Sequence, residues 1–279
     1  MEMRVKAHAK INWALNILGF RPNGYHELDM LMQSVELCDE MVFRPAEDLT
    51  LSVNGGPREC DDKNLVIRAA KALCAHVGKE LGAQIDLAKY IPARAGMGGG
   101  SADCAAALIA LNDMWKLELP METLLSIGLK LGADVPFCLT GGLARVSGIG
   151  ENIDPMPAAP AIPLAMVTPG GGLSTQDVFR AWDAGDRAVS THDMYDLARA
   201  VMDKDLGRIA ALTHNSLEVP AINMMPEIGA CMAAFRDLGA GAVFMTGSGS
   251  TVVAAFETDE QARNAAARVP GAVFTRTCA

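Results

Sequence analysis

An α+β fold in two domains is predicted for this chain, and three stretches predict it. The first is a long run of alternating apolar and polar residues near the start. The second is a glycine cluster at 92–103, set between an apolar, basic segment and an alanine-rich one. The third is a second half that ends strand, strand, helix, strand. The length of 279 residues is compatible, since it suggests roughly two domains or one large one. Pro155, Pro157, Pro160 and Pro163 make 154–163 the best linker candidate, and the division is placed between residues 155 and 156.

The opening run carries Val5, Ala7, Ala9, Ile11, Trp13, Leu15 and Ile17 at odd positions and Lys6, His8, Lys10, Asn12, Ala14 and Asn16 at even ones. Period two over that length predicts a half-buried strand, with Lys10 and Asn12 on its polar face. A solvated face is the ordinary fate of such residues, and local chemistry is the alternative. Arg21-Pro22-Asn23-Gly24 is turn-like. Tyr25 and His26 follow, an aromatic and an imidazole able to stack on and hydrogen-bond a flat base, or to pack as ordinary strand residues. Strands are predicted over 28–37 and 49–53, and a helix over 64–77 with Leu65, Ala69, Ala72, Leu73 and Val77 on one side.

The glycine stretch reads Pro92-Ala93-Arg94-Ala95-Gly96-Met97-Gly98-Gly99-Gly100-Ser101-Ala102-Asp103. Glycines let backbone N–H groups converge without a Cβ in the way, and a helix starting behind them adds its unpaired N–H groups and positive dipole end. That describes a phosphate cradle; a plain flexible turn is the alternative. No lysine follows the glycines as a Walker A loop requires, and the third glycine of a dinucleotide fingerprint falls on Ser101. Ser101 is the expected N-cap, Asp103 the expected first-turn acid, and Cys104, Leu108, Leu111 and Trp115 the expected apolar stripe.

A second amphipathic helix is predicted over 120–131. Asp134 then precedes Val135-Pro136-Phe137, the pattern of a helix N-cap with proline in the first turn, and a capping aspartate is also available for reaction. A short strand is expected over 143–147 and another over 164–168. The Pro169–Gly172 cluster reads as a turn, and a helix runs from Ser174 to Trp182. Residues 183–192 are polar and expected to be mobile. Further helices are predicted over 193–213, broken near Lys204, and over 226–238, stopped by Gly239. Strands over 242–245 and 251–256 flank Thr246-Gly247-Ser248-Gly249-Ser250. Thr258 and Gln261 form a capping box ahead of a last helix, and the last strand spans 272–277.

Composition narrows the classes. A net charge of −9 argues against a nucleic-acid footprint. The seven cysteines are scattered, with no C-x-x-C pair, so zinc and a disulfide framework are not expected. Residues 1–10 lack the apolar core of a signal peptide, and no run reaches the length of a membrane span, so a cytoplasmic protein is expected.

Taken together, Lys10-Ile11-Asn12, the loop at 92–103, Gly132-Ala133-Asp134-Val135-Pro136-Phe137 and Met245–Ser250 stand in the order of the GHMP kinase motifs. The chain resembles that family, which includes galactokinase, homoserine kinase and mevalonate kinase. The resemblance implies the two-domain GHMP kinase fold. Its N-terminal ATP-binding domain (1–155) would be like ribosomal protein S5 domain 2, and its C-terminal domain (156–279) a ferredoxin-like α+β unit. It implies ATP, as the magnesium complex, held by Pro92, Ala93, Arg94, Ala95, Gly96, Met97, Gly98, Gly99, Gly100, Ser101 and Ala102. No protein ligand to the metal is assigned. Asp134 matches the family's catalytic aspartate and Lys10 its catalytic lysine, with Asn12 positioned to fix the acceptor. Arg94, Met97 and Ala102 depart from the usual loop residues, and Arg94 either reaches the nucleotide or points to solvent.

Arg21–Leu28 and Asn215-Ser216-Leu217-Glu218 are similar to the branch whose acceptor alcohol carries a cytidine diphosphate. There the resemblance gives Tyr25 and Phe179 the stacking of cytosine, His26 its hydrogen bonds, and Thr175 a substrate contact. The implied partners are that small-molecule acceptor and ATP, without nucleic acid or membrane, and the implied state is a monomer or weak homodimer. A GHMP kinase for another alcohol, or a non-catalytic nucleotide-binding protein, are the competing readings.

Overall fold

The structure, a computed structural model, describes residues 2–22, 24–185 and 193–279. Asn23 of the predicted turn and 186–192 of the segment expected to be mobile lie outside the described residues. Contacts divide the chain into two compact units. One comprises Met1–Ala9, Leu37–Ile91 and Gly98–Thr140; the other comprises Lys10–Glu36, Pro92–Met97 and Gly141–Ala279. Two long strands, β1 (Met3–Phe20) and β2 (His26–Pro45), contribute residues to both.

In the first unit, β3 (Leu49–Val53) pairs parallel with β4 (Ala83–Ala88), Leu51 opposite Ile85. The final stretch of β2 pairs antiparallel with β4, Phe43 opposite Ile85. Four helices complete the unit: α1 (Leu65–Val77), α2 (Gly99–Met114), α3 (Met121–Leu131) and α4 (Val135–Thr140). Asn64 starts α1 by accepting the Val66 N–H on Oδ1 at 2.9 Å, and Gly78, at φ 66°, ends it. Helix α2 packs against α1, α3 and α4. Its alanine-rich sequence reflects that position. Ala102, Cys104, Ala105, Ala106, Ala107, Leu108, Ala110 and Leu111 are all buried, so the helix is covered nearly all round rather than along the single stripe the spacing predicts.

In the second unit, the 28–33 stretch of β2 pairs antiparallel with β5 (Leu143–Gly148), Met30 opposite Val146. β5 pairs in turn with β6 (Asn152–Pro155). The predicted linker therefore begins inside a strand, because β6 needs only a neighbour with free edge bonds, not apolar periodicity. A second sheet holds β7 (Pro163–Val167), β8 (Ala242–Met245), β9 (Val252–Ala255) and β10 (Val273–Arg276) in the order β10-β7-β9-β8, antiparallel throughout. Helices α5 (Thr175–Asp183), α6 (Met194–Met202), α7 (Leu206–Leu212), α8 (Glu218–Met224) and α9 (Glu227–Asp237) lie in sequence between β7 and β8, and α10 (Asp259–Arg268) between β9 and β10. That is the ferredoxin-like order. Ser174 caps α5, and the Thr258–Gln261 capping box on α10 is formed at both of its bonds. Helix α8 has no counterpart in the predicted elements.

The half-buried strand holds only as far as Ala9. From Lys10 to Ile17 both faces of β1 are buried, Lys10 at 4% exposure and Asn12 at 1%. The reason is tertiary cover. Within the second unit, the Leu15 N–H donates to the His214 carbonyl, Ser216 N–H donates back to the Leu15 carbonyl, and the Thr246 hydroxyl accepts the Asn12 N–H.

Candidate active site

The glycine stretch passes from the second unit to the first between Met97 and Gly98. In the second unit its backbone is tied down at three carbonyls. Arg94 accepts from the Leu173 N–H at 3.1 Å, Ala95 from Thr251 at 3.4 Å, and Met97 from Lys10 at 3.1 Å. Gly96 sits at φ 75°, and a Cβ there would stand 2.3 Å from the Thr246 carbonyl oxygen. A Cβ on Gly247 would stand 2.6 Å from the carbonyl oxygen of Gly96. The two glycine segments thus pass each other backbone to backbone, which only residues without side chains allow. Ala95 and Met97 are buried, whereas Pro92, Ala93 and Arg94 are exposed, and Arg94 holds φ 54°.

In the first unit the loop becomes a helix three residues earlier than a Ser101 cap would set it. Gly98 is the N-cap at φ 68°, ψ 21°, and it contributes no side-chain bond. The first helical bond is Ala102 N–H to Gly98 O at 2.8 Å. The N–H groups of Gly99, Gly100 and Ser101 precede it and have no acceptor within the helix, so they form an anion-binding end. Ser101 is in the first turn rather than at the cap. A Cβ on Gly132 would stand 3.6 Å from its Oγ, which places the hydroxyl against the Gly132–Asp134 segment. Asp134 is half-buried, and its carbonyl accepts the Cys138 N–H at 3.0 Å, so it occupies the cap position of α4.

Around β1 the second unit builds a polar cluster. Lys10 Nζ donates to Asn12 Oδ1 at 2.7 Å, and Asn12 Nδ2 approaches the Met30 sulfur at 3.4 Å. The Thr246 hydroxyl accepts the Asn12 N–H at 2.8 Å. Asn215 Nδ2 donates to the carbonyls of Met245 and Gly247 at 2.8 and 2.9 Å, which fixes the second glycine segment. Burial pushes the carboxyl of Glu218 up, against a bond from the Met245 N–H. Thr175 Oγ1 lies 2.9 Å from Ser248 Oγ on the same segment.

His26 stands among rings. Its centroid is 4.6 Å from Phe179, 4.8 Å from Phe20 and 5.7 Å from Trp182. Its Nε2 lies 2.8 Å from Asp183 Oδ1. An Nε2–H donated to that carboxylate leaves Nδ1 as the ring atom available to a ligand. Tyr25 beside it is 59% exposed, a large aromatic surface open to solvent.

The model of the GHMP kinases N terminal domain matches residues 64–142, and that of the GHMP kinases C terminal domain matches 197–275. A 4-diphosphocytidyl-2-C-methyl-D-erythritol kinase of Pelotomaculum thermopropionicum is 42% identical over 96% of this chain and 94% of its own length. The chain belongs to the GHMP kinase family. A second relative of the same name, from Geobacillus kaustophilus, is 38% identical over 94% of the chain and 90% of that protein. The crystal structure of a 4-(cytidine 5'-diphospho)-2C-methyl-D-erythritol kinase superposes with a TM-score of 0.86 at 33% identity, covering 99% of this chain and 100% of that one. Homoserine kinase of Cytophaga hutchinsonii, at 18% identity, 99% and 94% coverage and a TM-score of 0.74, shares the fold.

In this GHMP kinase, Lys10, Asn12, Tyr25, His26, Thr175, Phe179 and Pro92–Met97 belong to the second unit, and Gly98–Ala102 and Asp134 to the first. Within the second unit the structure brings Lys10 to Asn12, Lys10 to the Met97 carbonyl, His26 to Phe179, and Thr175 to Ser248. Sequence reasoning did not single out Phe20, Trp182 or Asp183 around His26. Nor did it assign work to Thr246 or Asn215 beyond motif membership. The aromatic residues at 179 and 182 sit three apart on one predicted helix, a usable sign that one face of α5 carries rings.

No helix among the described residues is long and apolar enough to cross a membrane. Among the described residues no group of three or more His, Cys, Asp or Glu is arranged to hold a metal ion.

Proposed function

We propose that this GHMP kinase transfers the γ-phosphoryl group of ATP to the 2-hydroxyl of 4-diphosphocytidyl-2-C-methyl-D-erythritol, a step in non-mevalonate isoprenoid precursor synthesis. The observation that carries this reading is the 42% identity, over nearly the whole of both chains, to a relative bearing that enzyme's name. Phosphoryl transfer asks the protein mainly to position groups and to stabilise charge.

The residues present suit that task. The N–H groups opening α2 and the backbone of 92–98 receive the phosphates, with Ser101 Oγ as a further donor. Asp134 orients the acceptor hydroxyl and takes its proton. The ammonium of Lys10 offsets charge on the phosphoryl group, and Asn12, hydrogen-bonded to that ammonium, holds the acceptor. Tyr25 and Phe179 sandwich cytosine, His26 reads its edge, and Thr175 touches the substrate. Magnesium would enter as the ATP complex, where it would supply neutralisation of phosphate charge. Residues 1–155 make the N-terminal ATP-binding domain and 156–279 the C-terminal domain, in a cytoplasmic monomer or weak homodimer.

A coupled ADP-release assay tests the reading. Turnover with the cytidine diphosphate alcohol, and none with galactose, homoserine or mevalonate, is expected; the reverse pattern would displace it. For the cytosine end, Tyr25→Ala removes an exposed ring whose stacking on a base is worth about 1–3 kcal/mol. The acceptor KM should rise about tenfold with the ATP KM unmoved. Equal effects on both would take Tyr25 out of the cytosine pocket.

A further inference from the structure

The first unit contains a buried charge cluster that the proposed chemistry does not use. Asp39 on β2 is fully buried. Its Oδ1 accepts the N–H groups of Tyr90 and Ile91, at 2.5 and 2.8 Å, and its Oδ2 accepts from Lys89 Nζ. The same Nζ donates to Asp103 Oδ2 at 2.7 Å. Asp103 lies in the second turn of α2, not the first turn the sequence predicts, because the helix starts at Gly99; it is 4% exposed, and its Oδ1 is buried without a hydrogen-bond partner among the described residues. A Cβ on Gly99, the first residue of α2, would stand 2.9 Å from the Ile91 side chain and 3.4 Å from Lys89 Nζ.

The placement is specific. Lys89–Ile91 is where the chain enters the glycine loop, and Gly99–Asp103 is where it leaves as α2. One ammonium serves two carboxylates, each from a different element, and Asp39 additionally grips two backbone amides at the entrance. Burial pushes the Asp103 carboxyl up to about 7, against the lowering pull of the Lys89 charge. Burying such a group is costly, and a buried ion pair is a poor way to gain stability alone. It is a good way to fix geometry. A loop held at both ends loses less freedom when a ligand orders it, so binding is tighter.

We propose that Asp39, Lys89 and Asp103 are positioning residues that pin the two ends of the glycine loop and so set the affinity for ATP. This rests on the reading of the loop as the nucleotide cradle. The cluster acts through the backbone; no side chain of the three is required to touch the reacting atoms.

Asp103→Asn and Asp103→Leu test it as a graded pair, with one charged Lys89–Asp39 pair left in each. ATP affinity by direct titration, both KM values and kcat are measured, with circular dichroism as the check on folding. The ATP Kd and KM should rise about threefold in Asp103→Asn and about tenfold in Asp103→Leu, while kcat and the acceptor KM stay within about twofold. Hydrogen exchange of the 88–104 segment, without nucleotide, should quicken in both variants. A fall in the ATP KM would mean that Asp103 acts as a negative charge opposing the triphosphate, and would overturn the proposal. Unchanged ATP affinity or unchanged exchange would overturn it too. If Asp103→Leu does not fold, the Asn variant and its exchange decide the matter. Wild-type protein that fails to bind ATP at all would instead remove the nucleotide reading, a distinguishable result.

Discussion

Asparagine at position 134 should lower kcat at least about a hundredfold, the scale of a lost general base, and leave ATP affinity within about twofold. The exchange isolates one property. Asp134 stands at the cap position of α4, with its carbonyl on the Cys138 N–H. Asparagine caps a helix as well as aspartate does, so α4 keeps its start. The size is kept as well. What disappears is a carboxylate able to take a proton from an alcohol. Single-turnover kinetics beside an ATP titration give the answer, and near-normal turnover would strip Asp134 of the role.

Lys10→Met is the second large effect, a fall in kcat of about a hundred- to a thousandfold, comparable to deleting one preorganised charge or donor at a transition state. Methionine replaces the aliphatic stem and drops the ammonium. The bond from the Lys10 N–H to the Met97 carbonyl is made by the main chain and survives. Asn12 Oδ1 retains the Thr246 hydroxyl at 3.5 Å after losing Nζ. Tm should therefore move by less than about 5 °C, the equivalent of roughly one or two kcal/mol in a chain of this size. Turnover within about tenfold of wild type, or activity that falls only in step with Tm, would refute the assignment.

Where a signal is local, the sequence carried it. The strand over 5–17 is written in its alternation, the start of α1 in Asn64, the start of α5 in Ser174, and the start of α10 in the Thr258 capping box. The cap of α4 is likewise written in Asp134 ahead of Val135-Pro136. What failed were statements that depend on neighbours far along the chain. The even face of β1 looks solvated because nothing near Lys10 announces that residues 214–216 and 246 will cover it. The sequence predicts a start for α2 at Ser101 because a hydroxyl is the usual cap. Gly98 reaches the left-handed region at little cost and begins the helix without one. The Asp39–Lys89–Asp103 cluster was invisible for the same reason: its members come from β2, the end of β4 and α2, and no spacing rule joins them. Asp103 read as a routine first-turn acid, and the partner that gives it work is fourteen residues upstream.

The close passage of Gly96 and Gly247 limits how this protein can be redesigned. The obstacle at each position is a carbonyl of the other segment, so no trimming of a neighbouring side chain would make room for a larger residue. The two loops therefore interlock through their main chains. Ala93 and Arg94, both exposed, lie outside that mesh and can be replaced without pressing on it.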